Sequence, residues 1–362
     1  MRIPKLQPAS ENLLHLDLLR FIASVGVVYL HAVEFFFPVA ERHTQAVNPK
    51  GLALFVDLFF IISGYVIAYV YDERVATRTG YLSFLQRRVG RLIPLHWLTM
   101  FVSFSIWGAF SLMHYTGNHM PSFKPLCIAD TAFLMHSFIP CGNGQYFNGV
   151  NWSISAEMVM YLIFPVLAFL GARGSRSLLC ASLVGYCAII YMERGLQARP
   201  ALDIQWSNIS PVIRALPSFG LGVALFFNRN YIRQFRISSP ILAGAVVALI
   251  AGMLLGLPQL VLLPGVAAVV TLAVSSDLSG SVSPFVRTVA PLGQLTYSIY
   301  MWHGSFILVF MNAIGDKFLH GGPLVMTGLS LLCSAMIFLT SYLSFFYIET
   351  PARRWVDKLR LT

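Results

Sequence analysis

Hydrophobic residues along the chain gather into ten runs that are separated by short polar stretches. A helix that spans a membrane needs about 20 apolar residues to cross about 30 Å of hydrocarbon. The runs predict spans at 16–37, 52–71, 93–113, 152–171, 177–192, 210–227, 241–256, 259–275, 292–314 and 323–347. A shorter basic, amphipathic run at 81–92 predicts an interfacial or re-entrant helix after the second span. The expected fold is therefore all-α and polytopic, with one transmembrane domain over residues 1–362.

The first run differs from a lipid-facing anchor because it carries a stripe of polar side chains. They are Asp17, Arg20, Ser24, His31 and Glu34. At about 100° per residue these five fall within an arc of about 100° on one side of a helix. Each ionisable group costs several kcal/mol in hydrocarbon unless it faces protein or water. Arg20 and His31 would lie about 16 Å apart on the same face, which predicts one site with two ends.

Composition places the chain among integral membrane proteins. Hydrophobic residues make up 57% of the 362 residues and charged residues only 11%, whereas soluble proteins carry about 25% charge. The net charge of +10 is the excess that positive cytoplasmic loops produce in a multispan protein. No basic run is combined with a nucleic-acid-binding motif, so we expect membrane lipids and not nucleic acid as partners.

The distribution of lysine and arginine predicts the orientation. With the N-terminus inside, 17 of these residues fall on the cytoplasmic side and six on the other. The positive-inside rule then places both termini in the cytoplasm of a bacterium, with the chain in the inner membrane. The segment between the third and fourth spans would lie outside, where Cys127 and Cys141 either form a disulfide or remain thiols. The cysteine spacing does not indicate a metal site.

This orientation gives each polar residue a predicted depth. Arg20 lies near the cytoplasmic end, level with Arg88 and Arg91. Arginine offers forked, permanently charged donors that suit phosphate, so the basic end predicts a phosphate-carrying donor.

The outer end has the groups that acyl or proton transfer requires. His31 is an imidazole that titrates near neutrality, and a carboxylate would fix its tautomer. Glu34, Asp57 and Glu157 are the candidate carboxylates, and the sequence does not choose among them. Each of these residues also has a structural interpretation, as a link between helices, and Arg88 and Arg91 have one as topology signals.

The residues named so far resemble the motifs of the acyltransferase-3 family of membrane acyltransferases, which includes bacterial O-antigen and exopolysaccharide O-acetyltransferases. The resemblance covers nearly the whole chain. In chain order the motifs are LDLLRFIASVGVVYLH (16–31), VDLFFIISGYVI (56–67), FLQRRVGRLIPLHW (84–97), NWSISAEMVMYLIFP (151–165), RALPSFGLGVALFF (214–227), LGQLTYSIYMWH (292–303) and YIETPARRW (347–355).

The resemblance implies an acyl-CoA donor, acetyl-CoA by default, and a carbohydrate acceptor such as O-antigen or exopolysaccharide. It implies a catalytic role for His31 and donor-binding roles for Arg20, Arg88 and Arg91. His31 would act as a general base or form a transient acyl-histidine, and both mechanisms remain open.

Four further residues are predicted to bind substrate. They are Trp152, Arg214, Tyr297 and His303. Trp152 has the alternative role of an interfacial anchor, and His303 that of a structural histidine.

Two other classes of protein fit the buried charges. A transporter or flippase for a polysaccharide precursor would line its permeation path with the same residues, although the sequence has no inverted repeat. A membrane scaffold or sensor is the third possibility and explains the charges least well.

Overall fold

A computed structural model describes residues 6, 13–36, 49–113, 120–137, 147–197, 210–235, 237–280 and 282–359. In these ranges the chain is helical and contains no β-strand. The helices are α1 Leu14–Val33, α2 Phe55–Tyr71, α3 Arg78–Leu112, α4 Pro125–Ala132, α5 Trp152–Gln197, α6 Ser210–Phe227, α7 Arg229–Ile232, α8 Ser239–Leu254, α9 Gln259–Ser279, α10 Pro284–Val289, α11 Thr296–Ile307, α12 Pro323–Ser344 and α13 Thr350–Lys358. A π-helical stretch, Leu308–Phe318, extends α11, and another, Phe345–Glu349, joins α12 to α13.

Six helical stretches in the described ranges are long and apolar enough to cross a membrane. They are Leu14–Val33, Pro49–Tyr71, Arg78–Leu112, Gly149–Ile189, Gln259–Ser279 and Pro323–Lys358. Pro211–Phe227 and Ser239–Leu254 are shorter apolar helices. The predicted all-α, multipass architecture is thus confirmed, while the number of ten spans stays a prediction.

Two predicted elements have a different form in the structure. The spans at 152–171 and 177–192 lie on α5, where Gly174 is extended, with φ −167° and ψ 76°, and divides the helix into two arms. The basic run at 81–92 is not a separate helix but belongs to α3, which has 35 residues. A helix of that length is about 52 Å long, which exceeds the hydrocarbon core and leaves room for its basic end outside it.

Helix α1 packs against α2, α9 and α11. Asp277 of α9 fixes its first turn, because its carboxylate accepts hydrogen bonds from the backbone amides of His15 at 2.9 Å and Leu16 at 3.2 Å. These amides have no partner within the helix, so a carboxylate there also complements the helix dipole. The capped end sets the position of the polar stripe that follows.

Close backbone packing joins α2 to α6. A Cβ atom added at Gly64 would collide with the backbone oxygen of Phe219, and one added at Gly222 would collide with that of Ile61. Small residues at such crossings allow membrane helices to approach closely. The approach brings Asp57 of α2 within reach of Arg214 of α6.

The segment between α3 and α5 reaches into the bundle beside the middle of α3. His96 Nε2 donates to the carbonyl oxygen of Thr131 at 2.9 Å, and Trp97 Nε1 donates to that of Ala132 at 2.9 Å. The Asn151 side chain, at the start of α5, lies 3.2 Å from His96 Nδ1. Helix α5 therefore begins level with the middle of α3 and not with its end.

This segment carries a disulfide-bonded cysteine, Cys127, in α4. Cys141, the partner that the sequence offers, lies outside the described residues.

Candidate functional site

A pocket opens between α1, α2, α3, α5 and α11. Its wall combines apolar residues of α2 with polar and charged side chains from all five helices. The polar residues that line it are Arg20, Ser63, Arg88, Arg91, Ser153, Glu157, Tyr161, Thr296, Tyr297 and Tyr300. The structure thus brings together the three arginines that the sequence assigned to donor binding.

Arg88 and Arg91 face the pocket together because residues three apart lie on one side of a helix. Arg88 is only 8% exposed. Its guanidinium carbon lies 5.0 Å from the ring centre of Tyr71 and 5.6 Å from that of Tyr161. Its Nε has no hydrogen-bond partner among the described residues. A buried guanidinium with an unused donor is suited to an anionic ligand.

Arg20 enters the pocket from α1, with its Nη1 3.4 Å from a carboxylate oxygen of Asp17. Its charge also interacts with those of Arg91 and Glu157. The side chains around Arg20 and Arg91 therefore carry more positive than negative charge.

The C-terminal helix α13 adds a further arginine that the sequence analysis did not assign. Arg353 donates to Glu349 Oε2 at 2.9 Å, and Ser298 also donates to Glu349. The charge of Arg353 interacts with those of Arg88 and Arg91. The signal for it was the closing YIETPARRW motif, which the sequence analysis used only for the resemblance.

Glu157 lies in the basic pocket, which differs from its predicted depth beside His31. Its Oε1 accepts hydrogen bonds from Ser63 Oγ at 2.5 Å and from the Tyr161 hydroxyl at 2.7 Å. The reason for the difference is that α5 begins beside the middle of α3, which places Glu157 deeper than a span starting at the outer surface would. Its role as the partner of His31 stays a prediction.

Asp57 pairs with Arg214 and does not line the pocket. Arg214 Nη2 lies 2.5 Å from Asp57 Oδ2 and also donates to the Ala53 carbonyl oxygen at 2.9 Å. Ser218 donates to Asp57 Oδ1 at 3.2 Å. The Arg214 guanidinium carbon lies 5.8 Å from the centre of the Trp152 ring. Two residues predicted to bind substrate, Trp152 and Arg214, are therefore neighbours.

His31 and His303 face each other, with ring centroids 5.3 Å apart and planes inclined by 32°. His31 is exposed, whereas His303 is fully buried. The Tyr300 ring contacts the His303 ring at 5.4 Å and also lines the pocket. The pocket wall and His31 are thus linked through Tyr300 and His303, although His31 itself is not in the lining.

Tyr297 and Glu34 are the two remaining predicted residues. The Tyr297 hydroxyl donates to the Leu92 carbonyl oxygen at 2.6 Å, which fixes its ring in the pocket wall. The side chain of Glu34 lies outside the part of the chain that the structure describes.

Five polar pocket residues were missed: Ser63, Ser153, Tyr161, Thr296 and Tyr300. Tyr161 is four residues from Glu157 and Tyr300 is three from Tyr297, so helical spacing alone could have suggested these two.

Two groups in the described part of the segment between α3 and α5 have shifted pKa values. Burial raises the pKa of Asp130 to about 6 and lowers that of His136 to about 4. Neither carboxylate oxygen of Asp130 has a hydrogen-bond partner among the described residues. At neutral pH His136 is therefore neutral, and Asp130 carries a poorly solvated charge.

Comparison with known proteins gives a consistent group of relatives. A family model described as "Acyltransferase domain" matches residues 13–345. The chain is 25% identical to the exopolysaccharide production protein ExoZ of Rhizobium meliloti, over 90% of this chain and 96% of that protein. It is 24% identical to the O-acetyltransferase OatA of Staphylococcus aureus, over 94% of this chain but 57% of that protein.

A third relative, the acyltransferase MdmB of Streptomyces mycarofaciens, is 29% identical over 41% of this chain and 37% of its own length. No solved structure matches.

Proposed function

Because the chain belongs to the acyltransferase-3 family, as the resemblance implied, we propose that it moves an acyl group from cytoplasmic acyl-CoA to a hydroxyl of an extracytoplasmic carbohydrate. The donor is acetyl-CoA in this proposal. The acceptor is a polysaccharide, in keeping with the relatives named for exopolysaccharide production and O-acetylation. The protein lies in the bacterial inner membrane with both termini in the cytoplasm.

The observation that carries the proposal is the arginine-lined pocket. CoA bears several phosphate groups, and the pocket offers Arg20, Arg88 and Arg91 within one wall. Charge-assisted hydrogen bonds from arginine to phosphate are about twice as strong as neutral ones. The Nε of Arg88 supplies an unused donor for such a bond.

The path of the acyl group follows α1 from the arginines to His31. These two residues lie on one continuous helix, about 16 Å apart along its axis. The pantetheine arm of CoA is of this order of length, so phosphates near Arg20 would bring the thioester toward His31. Tyr300 lines the pocket and contacts His303, and His303 contacts His31.

In the proposed reaction His31 acts as general base. It takes the proton of the acceptor hydroxyl while the hydroxyl oxygen attacks the thioester carbonyl. The carbon–sulfur bond then breaks, and the thiolate of CoA leaves with the proton that His31 returns. An acyl-histidine intermediate is the alternative route.

The roles of the remaining residues follow their contacts. Tyr297 would hold the donor arm, and Trp152 would stack on a sugar ring of the acceptor. The Arg214–Asp57 pair would support Trp152 from behind. Glu157 would place a negative charge among the arginines and so limit how tightly CoA binds.

The experiment compares wild-type protein with His31→Ala and His31→Gln in membranes that contain the native acceptor, using acetyl-CoA labelled in its acetyl group. We expect labelled carbohydrate from the wild type and a loss of about 100-fold or more in both variants at equal protein levels. Transfer near the wild-type rate in the variants would remove His31 from the mechanism. Movement of unlabelled carbohydrate without modification would instead identify a transporter.

A further inference from the structure

The geometry points to His303 as the positioning partner of His31, a role that rests on the proposed function of His31 as general base. In this arrangement His303 Nε2 accepts the N–H of His31, so that the second ring nitrogen of His31 faces the acceptor hydroxyl as a base. A histidine then takes the place that a carboxylate holds in many catalytic triads.

The hydrogen bonds around His303 determine its tautomer. His303 Nδ1 lies 2.7 Å from the carbonyl oxygen of Tyr300. A carbonyl oxygen only accepts, so Nδ1 must carry the proton, and Nε2 of the neutral ring keeps its lone pair. Nε2 is buried and has no hydrogen-bond partner among the described residues. A buried acceptor without a partner is destabilising, which makes an unpaired Nε2 unusual unless it serves a function.

His31 is the donor that the structure brings to this acceptor. The two ring centroids are 5.3 Å apart, which allows an N–H···N hydrogen bond after a small rotation of the exposed His31 side chain, or a contact through one water. The His31 side chain is exposed on α1, whereas His303 is fully buried on α11. The buried ring can therefore orient the exposed one.

The two candidate carboxylates whose side chains the structure describes have other partners. Asp57 is paired with Arg214, and Glu157 is bonded to Ser63 and Tyr161. The rings of His31 and Tyr300 both lie against the His303 ring.

Proton balance follows directly from this pairing. When His31 takes the hydroxyl proton, its positive charge is shared through the hydrogen bond to His303 Nε2. The charge disappears when His31 passes the proton to the thiolate of CoA. His303 gains and loses no proton over the cycle, so it acts through His31 and is a positioning residue.

Two substitutions separate this role from a structural one. His303→Asn retains an amide donor near the position of Nδ1 but lacks an acceptor at the position of Nε2. His303→Gln places an amide oxygen near Nε2. With labelled acetyl-CoA and membranes that contain the native acceptor, we expect His303→Asn to lower kcat about 100-fold with an unchanged KM for acetyl-CoA. We expect His303→Gln to recover kcat to within about tenfold of the wild type.

The double variant His31→Gln/His303→Asn tests whether the two residues act as a unit. It should be no slower than His31→Gln alone, because residues of one catalytic unit are strongly non-additive. The control is His320→Asn, an exposed histidine that contacts neither ring, which should behave as wild type.

The outcomes separate this inference from the proposed function. If His31→Gln abolishes transfer while His303→Asn retains it, the role of His303 is wrong and that of His31 stands. If His303→Asn and His303→Gln lose activity equally, or if KM rises with the fall in kcat, the positioning role is also wrong. If His31→Gln retains transfer, the proposed function of His31 itself fails.

Discussion

Arg88 and Arg214 are both arginines inside the helix bundle, yet their surroundings differ. Arg214 is matched by the carboxylate of Asp57 and the Ala53 carbonyl oxygen. Arg88 makes no ion pair with a described carboxylate, faces aromatic rings and keeps an unused Nε. A buried charge that is paired within the protein needs no ligand, whereas one with an unused donor can still bond to an anionic ligand. The two arginines therefore differ in how fully the described residues pair them.

The largest effect should come from breaking the matched pair. Asp57→Ala leaves the Arg214 guanidinium buried without its carboxylate, which costs about 3–5 kcal/mol. We expect a much lower melting temperature of the purified protein in detergent. The double variant Asp57→Leu/Arg214→Met replaces the pair by apolar groups and should recover most of that loss. A single variant as stable as the wild type would contradict the structural role of the pair.

The unmatched arginine should affect binding and not stability. Arg88→Ala removes charge-assisted hydrogen bonds worth about 1.5–3 kcal/mol, so the KM for acetyl-CoA should rise about 10- to 100-fold with little change in melting temperature. Arg88→Lys should recover only part of this, because lysine lacks the planar fork of donors.

The matched control for Arg88→Ala is Arg176→Ala, an exposed arginine on α5, which should leave the KM unchanged. Loss of folded protein in Arg88→Ala, with an unaltered KM in what remains, would make Arg88 a structural residue instead.

The variant Glu157→Gln tests the balance of charge within the pocket. It removes the negative charge of Glu157 and retains an oxygen that accepts hydrogen bonds from Ser63 and Tyr161. If Glu157 only balances the arginines, donor binding should tighten and the KM for acetyl-CoA should fall by less than about tenfold. A fall in kcat of about 100-fold with an unchanged KM would instead identify Glu157 as the carboxylate partner of His31.

The smallest expected effect is on the pH dependence of stability. It comes from Asp130, whose carboxylate has no hydrogen-bond partner among the described residues. Asp130 has a pKa of about 6 in the folded protein, above the ordinary value for aspartate of about 3.9. The folded state thus binds the proton more tightly, and stability falls as pH rises from about 4 to about 6. Asp130→Asn should remove this dependence, so that its gain in stability is present near pH 7.5 and absent near pH 4. Parallel stability curves for both proteins across this range would contradict it.

Local patterns in the sequence determined the membrane class, the helical fold and the family. The prediction that apolar runs of spanning length form helices is confirmed. In a bilayer the backbone N–H and C=O groups can find hydrogen-bond partners only within the protein, and a helix provides them. The spacing from Arg20 to His31, and from Arg88 to Arg91, places each pair on one face because helical periodicity is a local property.

Tertiary structure decided which side chains meet. Asp57 joins Arg214, and His31 faces His303, across sequence distances that no helical period can specify. These contacts depend on helix rotation and depth, which close packing at residues such as Gly64 and the inward reach of the segment before α5 determine. The sequence by itself therefore supplied the chemical groups and their order along each helix. Only the packing of the helices decided that Glu157 lies among the arginines and that a second imidazole stands beside His31.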